Sequence, residues 1–324
     1  MLAAGIIKAW AYDARDEYPG DIVYLAYSSS RLATVATVNI HATIESGSFT
    51  IPLKRAGNLI LLEADVDGMP GNLILDTGSK ALVLNSIYFR DERITGTMLA
   101  GGITGTTSDV SNSRIRNLQV SELSFRNLVA NLTDLGHIEN ARGVRVLGFF
   151  GLNMLSGFEV VIDLYNSVLE LHRLNSRGHP VTERRHAPAF DLEIPIKVES
   201  DIVFMEGEIS GRRLLFCLDT GAESNVLGSH LPNRVLETVS VFRRAILRGV
   251  GSQNVEVLYG QVNELNIGNT VITDMGAIIT NLHTMSKTFG VPIDGMLGSD
   301  FLEKGVFHIN LRRKRIGITL YKDV

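Results

Sequence analysis

The chain has 324 residues, a formal net charge of −4, 45% hydrophobic and 20% charged residues, and one cysteine. This composition is typical of a globular protein with a large core, and its mild acidity argues against a protein that mainly binds nucleic-acid phosphates. A single cysteine excludes an intramolecular disulfide and a zinc site built from several thiolates. No stretch approaches the roughly 20 consecutive apolar residues of a membrane-spanning helix, so we expect no membrane span.

The first 45 residues form a segment without a counterpart elsewhere in the chain. Residues 2–7 are apolar, but the run is short and no basic residue precedes it, so we expect no working signal peptide. The localisation stays open between an exported (periplasmic or secreted) and a cytoplasmic protein. Residues 37–44 (TVNIHATI) alternate between apolar and polar side chains, which predicts that residues 1–45 add a strand to the fold.

The rest of the chain is a tandem duplication. Residues 58–85 align with residues 201–228 without a gap at an offset of 143, and further along the offset becomes 147 to the end of each copy. Such a repeat determines the fold, because each copy forms a similar structural unit. It predicts one lobe over residues 46–174, a polar linker over residues 175–189, and a second lobe over residues 190–324.

Inside each copy, short apolar segments with a period of two are separated by Asp-Gly, Ser-Gly and Asn-Ser turns. This pattern predicts an all-β protein in which each copy is a small β-barrel-like unit. Helix signals are brief and occur near residues 85–90, 153–155 and 300–302. The basic residues 312–315 lie between two apolar strand segments, so we expect a solvated hairpin turn and not a nucleic-acid site.

Each copy contains an Asp-Thr-Gly motif at the end of an apolar segment. Residues 74–79 read ILDTGS, residues 217–222 read CLDTGA, and a hydrophobic-hydrophobic-Gly element follows each motif, at residues 149–151 and 296–298. Together they resemble the aspartic proteases of the pepsin and retropepsin superfamily. The resemblance covers both copies and implies two homologous β-barrel-like lobes with the active site between them. The final alanine of the second motif resembles retroviral enzymes and the duplicated chain resembles pepsin, a mixture similar to bacterial single-chain retropepsin-like aspartyl proteases.

Asp76 and Asp219 are the candidate catalytic residues. Water hydrolyses a peptide bond if one carboxylate takes its proton while a neighbouring carboxylic acid protonates the carbonyl oxygen. Two carboxyl groups so close together do not both ionise easily, so they share a proton and their apparent pKa values separate. One aspartate on each of two homologous lobes creates this pair across a pseudo-twofold axis.

The residues that follow each aspartate are candidates for supporting the catalytic loops. By the resemblance, Thr77 and Thr220 cross-link the two loops through hydroxyl and backbone hydrogen bonds. Gly78 and Gly221 allow backbone amides to approach the carboxylates without a Cβ atom in the way.

The two motifs differ at their last position. The hydroxyl of Ser79 is placed to donate a hydrogen bond to the outer oxygen of Asp76. Ala222 has no hydroxyl to offer Asp219, so we expect the two carboxyl groups to have unequal surroundings.

A substrate cleft also needs a cover that excludes water and holds an extended peptide. Glycine-rich stretches occupy equivalent places in the two copies, and they are either the tips of flap hairpins or ordinary hairpin loops. The flap candidates are Gly101, Gly102 and Ile103 in the first lobe and Gly249, Val250 and Gly251 in the second. Pepsin-like enzymes carry a tyrosine on the first flap; this tip has none, and Tyr88 and Tyr259 are nearby candidates.

These features predict an aspartic endopeptidase that cleaves extended peptides with activated water, without a covalent intermediate, a cofactor or a metal. The expected partner is a peptide or protein substrate and not a nucleic acid, and the enzyme is expected to work as a monomer because both motifs lie in one chain. Two alternatives stay open: a catalytically weak peptide-binding protein that keeps the duplicated fold, and a hydrolase that acts on a non-peptide substrate. Cys217 is predicted to be a small buried apolar residue.

Overall fold

In the computed structural model of the chain, the structure describes residues 47–79, 82–89, 93–102, 105–182, 188–199, 202–247 and 255–322. The strand predicted at residues 37–44 lies outside these residues. Among them, no helix is long and apolar enough to cross a lipid bilayer.

Most of the described residues form short β-strands. The first half contains β1 (Ser48–Pro52), β2 (Lys54–Ala56), β3 (Leu59–Val66), β4 (Met69–Asp76), β5 (Val83–Asn85), β6 (Arg93–Gly102), β7 (Gly105–Val120), β8 (Leu123–Thr133), α1 (Gly136–Arg142), β9 (Val146–Gly151), a 3₁₀ helix (Leu152–Leu155), β10 (Phe158–Asp163) and β11 (Val168–Arg173). The second half contains β12 (Leu192–Pro195), β13 (Lys197–Glu199), β14 (Ile202–Ile209), β15 (Arg212–Leu218), β16 (Asn225–Gly228), α2 (Asn233–Leu236), β17 (Val239–Leu247), β18 (Val255–Ile267), β19 (Thr270–Thr280), α3 (His283–Phe289), β20 (Gly295–Leu297), α4 (Ser299–Leu302), β21 (Gly305–Asn310) and β22 (Arg315–Leu320).

Each half forms a closed barrel of six strands. In the first half the sheet order is β2-β3-β4-β9-β5-β8-β7-β6, and an additional pairing of β3 with β7 closes the ring. In the second half the order is β13-β14-β15-β20-β16-β19-β18-β17, and a pairing of β14 with β18 closes it. Closure removes most exposed strand edges, which explains how such short strands form a stable sheet. The predicted all-β architecture of two barrel-like lobes is confirmed.

A third sheet of six strands joins the lobes, in the order β1-β11-β10-β21-β22-β12. Its central strands are β10 from the first half and β21 from the second, with Val160 facing Ile309 and Ile162 facing Phe307. All four side chains are buried. Apolar packing on this sheet therefore holds the lobes together, since the described cysteine, Cys217, is unpaired and buried as predicted.

The elements recur at the offsets found in the sequence. Strand β3 corresponds to β14 at an offset of 143, and β8 corresponds to β19 at an offset of 147. The same offset relates α1 to α3, and both helices end at a glycine with positive φ, Gly143 at 64° and Gly290 at 72°. Helices α1, α2 and α3 are not predicted from the sequence, because each has at most two buried side chains among those described, too few to form a helical period.

The barrel strands are buried on both faces. In β3, Leu61 belongs to a cluster that contains Phe149, while the next residue, Leu62, belongs to the main core with Phe150. Successive side chains of a strand point to opposite faces, so a strand between two apolar clusters has a continuous apolar sequence. This explains the uninterrupted apolar runs before both Asp-Thr-Gly motifs.

The brief helix signals have mixed outcomes. The 3₁₀ helix and α4 occur where residues 153–155 and 300–302 predict them. The helix predicted near residues 85–90 is wrong for its described part, since residues 86–88 form a turn. In that turn Asn85 accepts backbone hydrogen bonds through its side chain, from Ile87 at 3.3 Å and from Leu135 at 3.1 Å, and such bonds compete with helix formation.

Two polar segments contact each other near the turn between β21 and β22 of the joining sheet. The predicted turn of basic residues connects β21 to β22, and Asn310 faces Arg315 across its ends, which confirms the hairpin. The described part of the predicted linker folds back onto this hairpin, where Asn310 Nδ2 donates to the carbonyl of Gly178 at 3.0 Å.

Candidate active site

Asp76 and Asp219 occupy corresponding places in the two barrels. Asp76 is the last residue of β4 and faces Gly151 of the parallel strand β9. Asp219 directly follows β15, and its backbone N–H donates to the carbonyl of Leu297 in β20 at 2.9 Å. The two hydrophobic-hydrophobic-Gly elements are therefore the strands that support the aspartates. Both aspartate side chains are buried, with exposed fractions of 1% and 4%.

Each aspartate loop brings a glycine against the opposite carboxyl group. A Cβ atom on Gly78 would lie 2.8 Å from Cγ of Asp219, and one on Gly221 would lie 2.9 Å from Cγ of Asp76. The same glycines donate backbone hydrogen bonds within their own loops, to Asp76 Oδ1 at 2.8 Å and to Asp219 Oδ1 at 2.9 Å. Only glycine fits such a close approach. The result is a pair of neighbouring buried carboxyl groups whose charges interact.

Thr77 and Thr220 connect the two loops reciprocally. The backbone N–H of each donates to the hydroxyl of the other at 3.0 Å. The hydroxyl of Thr77 donates in turn to the carbonyl of Leu218 at 2.6 Å, and that of Thr220 to the carbonyl of Leu75 at 2.7 Å. All four bonds cross between the lobes and are buried, so they are strong and they fix the aspartates relative to each other.

The two carboxyl groups have unequal pKa values. Burial raises the pKa of Asp76 well above its ordinary range, and the neighbouring charge of Asp219 raises it further. Burial also raises the pKa of Asp219, to about 6, while hydrogen bonds from Asp76 and from backbone amides oppose this rise. Asp76 Oδ2 is buried and accepts no hydrogen bond from the described residues. One proton shared by the pair fits the raised pKa values of both groups.

Ser79 and Ala222 support the carboxyl groups in the same way, through their backbones. The backbone N–H of Ser79 donates to the backbone carbonyl of Asp76 at 3.3 Å, and that of Ala222 donates to the backbone carbonyl of Asp219 at 3.2 Å. Both N–H groups also lower the pKa of the adjacent carboxyl group. The additional bond predicted from the Ser79 hydroxyl to the outer oxygen of Asp76 is not present, since Oδ2 of Asp76 has no donor among the described residues. The unequal surroundings of the two carboxyl groups therefore do not come from a bond between the Ser79 hydroxyl and Oδ2 of Asp76.

The described part of the first glycine-rich stretch lies at the end of a long hairpin. Strands β6 and β7 pair up to Gly102 opposite Gly105, with Gly101 opposite Thr106. Strand β6 also contacts helix α3 of the second lobe, so the first hairpin reaches across the space between the lobes. Strands β17 and β18 form the equivalent hairpin and pair up to Leu247 opposite Val255. Outside the described residues lie the remaining flap candidates, Ile103, Gly249, Val250 and Gly251.

The candidate flap tyrosines do not lie at either hairpin tip. Tyr88 is in the turn after β5, and its hydroxyl hydrogen-bonds to Glu139 of α1. Tyr259 lies within β18, where the guanidinium of Arg243 stacks 4.6 Å from its ring centroid and Phe242 packs against its edge. Both tyrosines are thus held by contacts within their own lobes.

Two further carboxyl groups lie close to the Asp219 loop: Glu223, which is buried, and Asp300, which is half-buried. Neither is predicted as a site residue, and the signal in the sequence is only that each lies within two residues of a motif. Glu223 directly follows the second motif and forms an ion pair with Arg142 of the first lobe. Burial raises the pKa of Glu223 to about 7, opposed by the charge of Arg142. Asp300 accepts a hydrogen bond from the backbone of Asn225 at 3.3 Å, and burial raises its pKa to about 6.

Several known proteins resemble this chain in sequence or in fold. Residues 205–301 match a family model described as aspartyl protease. The chain is 27% identical over 105 residues to the retrovirus-related Pol polyprotein from transposon 412 of Drosophila melanogaster, a match that covers 32% of this chain and 8% of the polyprotein. The crystal structure of an aspartic proteinase from Irpex lacteus has the same fold, with a TM-score of 0.54 and 11% identity over 85% of this chain and 98% of that one.

Proposed function

We propose that this chain, an aspartic protease of the pepsin and retropepsin superfamily by family model and fold, is an active endopeptidase whose catalytic residues are Asp76 and Asp219. Its substrate is an extended peptide bound between the lobes, beneath the hairpin of β6 and β7. Because both aspartates belong to one chain, the site needs no second subunit.

In the proposed reaction, a water molecule lies between the two carboxyl groups and the scissile carbonyl carbon. Ionised Asp219 takes a proton from this water while Asp76 gives its proton to the carbonyl oxygen, forming a tetrahedral diol. The proton on Asp219 then passes to the amide nitrogen as the C–N bond breaks, and one hydroxyl of the diol returns a proton to Asp76. One water is consumed, one carboxylic acid and one amine are released, and the pair regains its starting state.

The observation that carries this proposal is the reciprocal contact of each loop glycine with the opposite carboxyl group. Packing two buried carboxyl groups together is costly in free energy, since each loses hydration and repels the other. A protein that merely binds peptides has no use for such a pair, so a binding role without turnover is less favoured. Hydrolysis needs it, because the shared proton makes one group a base and the other an acid.

A peptide-library digest at several pH values tests the proposal. The matched variants are Asp76→Asn and Asp219→Asn, which keep the side-chain shape and remove the acid or base. We expect cleavage by the wild type and loss of at least about 100-fold in kcat/KM in each variant. Saturable binding of a statine-type transition-state mimic, weakened in both variants, gives a second readout. A wild type that cleaves no peptide, or a variant with full activity, contradicts the proposal.

A further inference from the structure

The loop that carries Asp219 is attached to the opposite lobe by Glu223. This residue lies four positions after Asp219, and its side chain is only 5% exposed. Its Oε2 atom accepts a hydrogen bond from Nη2 of Arg142, and its backbone carbonyl accepts one from Asn58 Nδ2 at 3.0 Å. Arg142 and Asn58 both belong to the first lobe. The first lobe therefore holds the second catalytic loop by a side chain and by the backbone of the same residue.

Arg142 is placed for this contact by its own lobe. It is the last residue of α1, where its positive charge interacts favourably with the partial negative charge of the helix C-terminus. Its guanidinium lies against Gly57, on which a Cβ atom would be 3.0 Å from the guanidinium carbon. The Arg142 side chain is 10% exposed, so the ion pair with Glu223 is shielded from solvent and its geometry is restricted.

A second contact holds the neighbouring turn. Arg55 of the first lobe donates to Glu303 at 2.7 Å and to the hydroxyl of Ser299 at 3.3 Å. The backbone N–H of Ser299 donates to the carbonyl of Ala222, the last residue of the second motif, at 2.9 Å. Two adjacent residues that follow Asp219, Ala222 and Glu223, are thus connected to charged side chains of the first lobe, Ala222 through Ser299 and Glu223 directly.

The two arginines of the first lobe that make these contacts have no charged counterpart at the corresponding positions of the second lobe. The position that corresponds to Arg142 is Phe289, and the one that corresponds to Arg55 is Val198. Neither side chain can donate a hydrogen bond or carry a charge. The first lobe therefore contacts the Asp219 loop through arginine side chains that the second lobe lacks at the corresponding positions.

From this asymmetry we propose that Arg142 and Glu223 are positioning residues that fix the Asp219 loop against the first lobe and so set the distance between the two aspartates. The inference rests on the proposed function for its effect on catalysis. Glu223→Gln leaves the buried guanidinium of Arg142 without its counterion, and Arg142→Met removes the charge that keeps Glu223 ionised. In both cases the ion pair that holds the loop is lost, and the loop relaxes. Asp219 then moves relative to Asp76, and a displacement of about 1 Å reduces turnover severely.

The test compares Glu223→Gln, Arg142→Met and the double variant with Glu63→Gln. The control makes the same chemical change in an exposed ion pair, that of Glu63 with Lys54, whose side chains are 70% and 54% exposed. We expect kcat to fall about 10-fold or more in each single variant with little change in KM, and the double variant to be no worse than the poorer single variant. Arg142→Lys, which keeps the charge, should recover part of the loss. Thermal unfolding is measured alongside, so that every assay is made on folded protein.

A second readout needs no turnover. Carboxyl ¹³C NMR titration, assigned with Asp76→Asn and Asp219→Asn, measures the separation between the two titration steps of the pair. Because this separation reflects the repulsion between the two groups, it should narrow by about half a pH unit or more in Glu223→Gln and Arg142→Met and not in Glu63→Gln.

The outcomes separate this inference from the proposed function. If Asp76→Asn and Asp219→Asn abolish cleavage while Glu223→Gln and Arg142→Met keep the wild-type kcat and titration steps, the positioning role is wrong and the function stands. If the wild type cleaves nothing but the titration steps narrow as expected, the positioning role stands and the function is wrong. Lower thermal stability with unchanged kcat and unchanged titration steps also overturns the positioning role.

Discussion

Thr77 and Thr220 exchange hydrogen bonds of 3.0 Å in both directions, each backbone N–H donating to the hydroxyl of the other residue. Each hydroxyl also donates to a backbone carbonyl of the opposite lobe. The two catalytic loops are therefore cross-linked at the residue next to each aspartate. This symmetric connection fixes the pair, while the contacts of Glu223 and Arg142 add a one-sided attachment.

Replacing Thr220 by valine should destabilise the protein. Thr220→Val keeps the shape of the side chain but leaves the N–H of Thr77 and the carbonyl of Leu75 buried without their partner. Each orphaned group costs about 1–3 kcal/mol, so the free energy of unfolding should fall by about 2–4 kcal/mol in chemical denaturation. Thr220→Ser keeps the hydroxyl and should lose less than half as much. Equal stability of the valine and wild-type proteins would show that these bonds contribute nothing.

Adding one methyl group at Gly221 should separate the aspartates. The new Cβ atom in Gly221→Ala would lie 2.9 Å from Cγ of Asp76, closer than such atoms approach each other, so the carboxyl group must move. We expect kcat on a peptide substrate to fall about 100-fold. Gly157→Ala is the matched control, because a Cβ atom there meets nothing within 4 Å. If both variants turn over peptide equally fast, the close approach has no catalytic importance.

Asp300 should make stability depend on pH. Its pKa rises from 3.8 to about 6 on folding, so the folded state binds the proton more tightly than the unfolded state. This contribution is fully present below pH 3.8 and is lost as the pH rises through about 6. Asp300→Asn should therefore stabilise the protein by about 1–3 kcal/mol at neutral pH and change little below pH 3.8. Urea denaturation at both pH values measures this, and a variant equally destabilised at both would contradict it.

The sequence predicts the local and repeated features well. The Asp-Thr-Gly loops and their partner strands β9 and β20 are recognisable because the duplication presents each pattern twice and the apolar runs are continuous. Helix α3 has a weak signal in the sequence: Met285 and Phe289, both buried, are four residues apart, and Gly290 follows them. Two apolar residues are too few to establish a helical period, so this helix is not predicted.

Contacts between distant residues are the part that the sequence does not predict. Arg142 and Glu223 are 81 residues apart, and no spacing or periodicity relates them. The unequal surroundings of the aspartates were expected from Ser79 and Ala222, yet both residues support the carboxyl groups by backbone N–H groups. The difference between the two loops lies instead in contacts with the opposite lobe, and those depend on the assembled fold.

The pH dependence of kcat/KM on a cleaved peptide, for the wild type and Asp219→Asn, tests the catalytic pair most directly. In the proposed mechanism only the singly protonated pair is active, so the wild-type rate should rise near pH 6 as the pair loses its first proton and fall again as it loses the second. Asp219→Asn should be at least about 100-fold slower over the whole pH range. A flat wild-type profile, or a variant that keeps the wild-type rate, would contradict catalysis by these two aspartates.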